Sequence, residues 1–201
     1  MKKTFSLVVL LLCMTLGVTA QSSGTCGANL NWSFEGNTLT ITGSGAMTNY
    51  ESYNSSPWYS IRESIVQVSL PEELTTIGKN AFNSCTKLRL VTIPANVTTI
   101  ANNAFDNCQA LSRVTFAQGS TLQTIGEYAF TKCYALTSIS LPSSLKTIKK
   151  AAFRNCNKLT SITIPASCSS IEQDAFRECS ELSEVVLKEG VKTIASNVFT
   201  S

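Results

Sequence analysis

The sequence contains no histidine. That removes the Ser–His and Cys–His nucleophile pairs and most zinc sites. No Cys-x-x-Cys pair occurs, so neither a zinc ribbon nor a thioredoxin-type dithiol is indicated. No glycine-rich phosphate loop is present either. Carboxylates such as Glu72, Glu73, Asp106, Asp174 and Glu181 are scattered over variable positions, and none stands out as half of a catalytic pair. Charge is scarce, at 14% of residues, so serine, threonine and asparagine must keep the outside wet. The expectation is a chain without catalytic residues, metal or cofactor.

The start, Met1-Lys2-Lys3 followed by an apolar run from Phe5 to Leu16, has the form of a secretory signal peptide. Val18-Thr19-Ala20 places small residues before a natural cleavage point at Gln21, which makes residues 1–20 the leader. The run is short of the about 20 apolar residues that a membrane span needs, and no later segment is long enough. No membrane insertion is therefore expected once the leader is cut. Without Lys2 and Lys3 the 16 basic residues become 14, against 13 acidic ones. A near-neutral chain lacks the basic footprint of a nucleic-acid binder.

What the sequence does have is a period. Phenylalanines fall at Phe82, Phe105, Phe130, Phe153, Phe176 and Phe199, with steps of 23, 25, 23, 23 and 23 residues. An isoleucine stands five places before each, from Ile77 to Ile194. A cysteine stands three places after each of the first five, at Cys85, Cys108, Cys133, Cys156 and Cys179, and a leucine three places further on. Self-similarity in this range means a solenoid. Apolar residues at Leu88, Val91 and Ile93, and at equivalent positions in the other units, carry the alternation of a short strand. A proline often follows, at Pro71, Pro94, Pro142 and Pro165.

The unit is too short for a helix pair. It fits a β-rich leucine-rich-repeat solenoid with one short strand per 23-residue unit. Repeats are expected over 65–201, the last of them incomplete. The Ala-Phe stretch is left as a helical turn or an irregular bend. The 25-residue step places its extra residues near Gln118-Gly119-Ser120, in a loop. Neutral loop drift is the expected meaning, and a binding edge is the alternative.

Residues 21–64 read as an N-terminal cap, since a first repeat must not expose its open end. Residues 21–26 look like a polar lead-in. Leu30, Trp32 and Phe34, then Leu39 and Ile41, alternate with polar residues around Glu35-Gly36-Asn37, which is a β-hairpin pattern. Gly43-Ser44-Gly45 is expected to end it. Ser56-Pro57 reads as a helix start, with a short helix through Trp58, Tyr59 and Ile61 covering the first repeat.

The unit Leu-x-x-Val-x-Ile-Pro…Val-x-x-Ile…Ala-Phe-x-x-Cys, as in residues 88–108, resembles the BspA-like (Treponema-type) leucine-rich repeats. The segment from Gly24 to Leu30, with Leu39 to Met47, is similar to the stretch that often precedes them. The resemblance implies a surface or secreted protein of oral or gut bacteria, or of some mucosal protozoa. It also implies adhesion to host extracellular proteins or to other bacteria.

Five cysteines share one repeat position, and Cys168 fills a slot held elsewhere by leucine or valine. A ladder of buried thiols is the favoured reading over rung-to-rung disulfides, whose torsion parallel neighbours rarely satisfy. Outward from the strands run Ser69, Thr92, Thr115, Ser140 and Thr163, broken by Val186. Leu90, Arg113, Ser138, Ser161 and Glu184 flank them, with Gln67.

The bland reading is good strand formers on a wet face; the functional one is a platform for a protein or glycan. A second hydroxyl row, Thr76, Thr99, Thr124, Thr147, Ser170 and Thr193, is expected to be structural. The leading expectation is an exported, non-enzymatic binding module, secreted or at the cell surface, with host extracellular matrix as one candidate ligand. Alternatives are a module that self-associates through an open C-terminal end, or a hydrolase with a site in the cap near Trp58 and Tyr59.

Overall fold

A computed structural model describes residues 22–200; the leader expected over residues 1–20 lies outside the described residues. The chain is a parallel β-solenoid. Strand β1 (Ser22–Glu35) pairs antiparallel with β2 (Thr38–Met47), and a 3-10 helix (Tyr59–Ser64) follows. The repeats then place one set of strands on one face: β3 (Gln67–Ser69), β5 (Leu90–Ile93), β7 (Arg113–Phe116), β9 (Ser138–Ile139), β11 (Ser161–Ile164) and β13 (Glu184–Leu187).

The expected strand of each unit has a second companion, from the second unit on only two residues long. These are β4 (Leu74–Ile77), β6 (Thr99–Ile100), β8 (Thr124–Ile125), β10 (Thr147–Ile148), β12 (Ser170–Ile171) and β14 (Thr193–Ile194). Each holds the threonine or serine of the second hydroxyl row in register with that of the next turn. Five of the six have only two residues, too few to show a period-2 alternation, and the four-residue β4 buries its two ends and does not alternate, which is why the sequence pattern missed them.

Strand β2 starts both ladders. Its first half pairs with β3 and its second half with β4. Gly43 and Gly45 do not end the hairpin but bend it, with φ of 103° and 94°. A Cβ on Gly43 would stand 1.9 Å from the Asn29 carbonyl oxygen, so only glycine lets the strand turn this corner. Because β2 runs on past the bend to Met47, β1 keeps its partner back to Gly27, and the expected lead-in is strand from Ser22. A bulge between Gly27 and Asn29 absorbs the change of direction.

The core is a set of columns. Leu88, Val91, Ile93, Val97, Ile100, Ala104, Phe105 and Cys108 are all buried, and their equivalents repeat along the axis. The phenylalanine rings stack with centroids 5.1 to 5.5 Å apart and planes within 1° to 15°. Each such pair contributes about 0.5–1.5 kcal/mol beyond its buried area.

Trp58 heads the column, 5.6 Å from Phe82 and nearly parallel to it. In the five repeats from Phe82 to Phe176 the phenylalanine backbone N–H donates to a carbonyl of the next turn; Phe82, for example, donates to Ala104 O at 2.7 Å. Ala81 O has no such donor behind it, and the Trp58 indole Nε1 takes that place at 2.6 Å. The helix therefore starts after Trp58, with no side-chain cap. Ser56 instead lends its carbonyl to the Tyr59 N–H, at 3.0 Å.

The Ala-Phe stretch is an arch. Two residues in each full arch have left-handed backbone, one two places before the phenylalanine and one two places after: Asn80 and Ser84, Asn103 and Asn107, Tyr128 and Lys132, Ala151 and Asn155, Asp174 and Glu178. Backbone N–H groups alternate between a partner three residues back and one in the next turn. Ala81, Asn83 and Cys85 use Gly78, Asn80 and Phe82; Asn80, Phe82 and Ser84 use Asn102, Ala104 and Asp106. No donor in the arch is left unpaired, which is the condition for burying it.

Two substitutions test this account by denaturant unfolding. Phe130→Ala, which empties one rung, is expected to cost about 3–5 kcal/mol. Lys132→Gly, which relieves left-handed strain at an exposed site (φ 59°), is expected to stabilise by up to about 1 kcal/mol.

Candidate binding surface

On the first strand face, alternation sends Val68, Val91, Val114, Ile139 and Ile162 inward and leaves their neighbours outside. The expected row therefore points outward. Leu90 lies in register with Arg113 and Ser138, and Thr92 with Thr115. The Thr92 and Thr115 hydroxyls are 2.9 Å apart, within hydrogen-bond distance. Gln67 is in register with Leu90, and Ser161 and Thr163 with Glu184 and Val186.

Three open grooves run along this face. One, of about 620 Å³, is lined by Ser69, Leu90 and Thr92, with walls that include Glu72, Glu73, Asn96 and Gln118. Another, of about 280 Å³, takes Arg113, Thr115, Ser138 and Ser140. The third, of about 360 Å³, is lined by Ser138, Ser140, Ser161 and Thr163, together with Lys188. It lies where the ladder breaks: the long sheet ends at β9, and β11 with β13 forms a separate pair. Glu184 lines none of the three. Glu72, Glu73 and Asn96 were not legible as wall residues, because they sit in corners after strands, where no pattern repeats. Gln118 was marked by the longer repeat step.

A family model of the BspA-type leucine-rich repeat region matches residues 51–121 and 118–201, in six copies. The chain belongs to this family.

Among solved structures the BspA-type chain resembles a leucine-rich repeat protein from Eubacterium ventriosum, at 24% identity and a TM-score of 0.72, over 85% of this chain and 45% of that one. A leucine-rich repeat protein from Bacteroides ovatus aligns at 27% identity and a TM-score of 0.59, over 85% and 43%. A leucine-rich cell surface protein from Faecalibacterium prausnitzii aligns at 25% identity and a TM-score of 0.50, over 83% and 54%. The chain thus spans about half the length of these relatives. No curated protein matches it in sequence.

The repeat cysteines of this BspA-type solenoid are free and buried. Four thiols donate to the phenylalanine carbonyl of the turn before: Cys108 to Phe82 at 3.1 Å, Cys133 to Phe105 at 3.4 Å, Cys156 to Phe130 at 3.2 Å and Cys179 to Phe153 at 3.1 Å. The slot thus asks for a small apolar side chain with one donor. Burial pushes the Cys85 thiol up to about 12 and Cys26 to about 11. A thiol that holds its proton is not a nucleophile.

Trp58 is fully inside, and Tyr59 packs edge-on to Tyr53 and under the Arg62 guanidinium. Neither lines any of the three grooves. A depression of about 480 Å³ does lie beside the cap, between Glu51, Tyr53, Lys79 and Asp106. Burial raises the Asp106 carboxyl, with Lys132 acting the other way. Among the described residues no group of three or more His, Cys, Asp or Glu could hold a metal ion, and no helix is long and apolar enough to cross a membrane.

Unfolded thiols release their protons near pH 9, whereas Cys85 holds its own to about 12. Stability is therefore expected to be full below pH 9 and to fall as pH rises through the window from 9 to 12. Denaturant midpoints measured across that range check the sign. Under native conditions at neutral pH, a thiol reagent is expected to label none of the seven cysteines that follow the leader, and all seven in denaturant.

Proposed function

We propose that the chain is an exported, non-enzymatic binding module that acts through the strand face of its solenoid. The ligand class is a host extracellular protein, a glycan or the surface of another cell, reached from a secreted or cell-surface location. The observation that carries this reading is the coincidence of the outward row with three open grooves. Nine of its ten residues line a groove: Ser69, Leu90, Thr92, Arg113, Thr115, Ser138, Ser140, Ser161 and Thr163. The interior is filled by repetition, while the outside varies from turn to turn. A relative described as a cell surface protein supports the location, and the signal-like start supports export.

A second reading has its own observation. In the last turns Val185, Val186, Leu187, Ile194 and Phe199 are exposed, Phe199 by 37% and Ile194 by 46%. An apolar end of this kind can stack against a second copy. Sedimentation of the wild-type chain as a dimer, and of Phe199→Ser as a monomer, is the result that would favour this reading.

For the leading reading, the full chain is screened against matrix glycoproteins, glycans and bacterial cells. Thr115→Glu combined with Ser138→Glu is expected to weaken the ligand so found by about tenfold or more, since charges buried without partners oppose contact. The melting temperature should be unchanged. A ligand indifferent to charge along the whole row contradicts the proposal.

A further inference from the structure

The three grooves are not equivalent, and the largest has the features of a selective site. Its floor is apolar. Leu90 is 47% exposed, although its column otherwise carries Gln67, Arg113, Ser138, Ser161 and Glu184. Leu70, Pro94, Ala95 and Ala117 extend the apolar area around it. A large apolar side chain left outside at one rung of a polar column is informative in a way that scattered exposure is not.

The two-residue insertion is the second observation. It falls at Gln118-Gly119-Ser120, and Gln118 forms part of this groove's wall. Gly119 takes left-handed backbone, with φ 76°. The longest step in the repeat thus coincides with the largest of the three grooves.

Charge is the third. Glu72 and Glu73 stand on the wall, both exposed, and neither joins any ion pair among the described residues. The Asn96 side chain donates to the Glu72 carbonyl at 3.2 Å and ties the two corners together. Thr92 and Ser69 add hydroxyls. No aromatic ring lines the groove, so it lacks the flat apolar plate on which sugar rings stack.

An apolar floor below two free carboxylates matches one kind of side chain, an alkyl stem ending in a cation. Lysine and arginine lay their stems on apolar surface and keep their charged heads at its edge. Opposite charge at the rim adds specificity and speeds encounter. The volume of about 620 Å³ lies in the range of ligand sites.

We propose that the groove around Leu90, Glu72, Glu73 and Gln118 binds a lysine- or arginine-bearing segment of a protein partner. This rests on the strand-face reading above and narrows its ligand to a protein carrying a basic segment.

The test uses the full chain and short fluorescent peptides in which lysine alternates with valine. The same peptides with glutamine or glutamate in place of lysine serve as comparisons, and binding is read by anisotropy. The lysine peptide is expected to bind at least about tenfold more tightly than the glutamine peptide. Raising salt from about 0.15 M to about 0.5 M should weaken it. Glu72→Gln with Glu73→Gln, and separately Leu90→Ser, should each reduce the affinity severalfold. Glu184→Gln, outside every groove, should leave it unchanged.

Equal binding of the lysine and glutamine peptides, or no loss in the Glu72/Glu73 double variant, overturns the proposal. So does spermidine competing as well as the peptide, since charge alone would then be read. If these peptides fail while a ligand from the broader screen still depends on Thr115 and Ser138, the basic-segment site falls and the strand-face reading stands.

Discussion

Everything in this molecule depends on one turn finding its image in the next. The ring of each phenylalanine lies on the ring of the following unit, and the backbone beside it hands a hydrogen bond across the same gap. Neither interaction exists within a single turn. A lone unit has no core, because its apolar residues face only the place where its neighbour's would be. The first turn is consequently the difficult one, and the tryptophan of the cap resolves it by supplying both the missing ring and the missing donor. Strand β2 does the same for the two ladders, starting one with each half.

The columns themselves were legible because inward slots admit few side chains. A recurring set of phenylalanine, isoleucine, cysteine and leucine is what stacking demands, and it returns every 23 residues with a single step of 25. The outward row was also legible, since alternation around Val91 or Val114 decides which neighbours face water. Other features left no periodic trace. The left-handed residues include Asn80 and Asn103, which suit that backbone, but also Tyr128, Lys132 and Ala151, which do not advertise it. There the neighbouring turns override local preference.

Trp58 was seen as a lid on the first repeat but not as the first member of the aromatic column. It fills that place with a different side chain, 24 residues before Phe82 instead of 23. Gly43 was read as a stop because glycine so often ends a strand. Here it permits a bend that only a view of Asn29 across the hairpin reveals. The groove walls were the least legible. Glu72 and Gln118 come from corners of different turns, and their meeting is a property of stacking, not of either segment.

Function follows from the same division of labour. The inside is committed to packing, down to thiols that serve as weak donors to neighbouring carbonyls and are held out of reach of solvent. That leaves the strand face and its corners to differ from rung to rung. Variation there costs little stability, so one apolar rung, one insertion and one pair of carboxylates can accumulate in a single recess.

The most direct test of the stacked architecture is native-state hydrogen exchange resolved to single amides. The N–H groups of Phe105 and Phe130, which donate to the next turn, should exchange only with large-scale opening. Those of Phe176 and Glu178, near the exposed last rung, should open at much lower free energy, giving a gradient along the axis. Equal protection from end to end, or rapid exchange at Phe105 and Phe130, would contradict an account in which each turn is held by its neighbours.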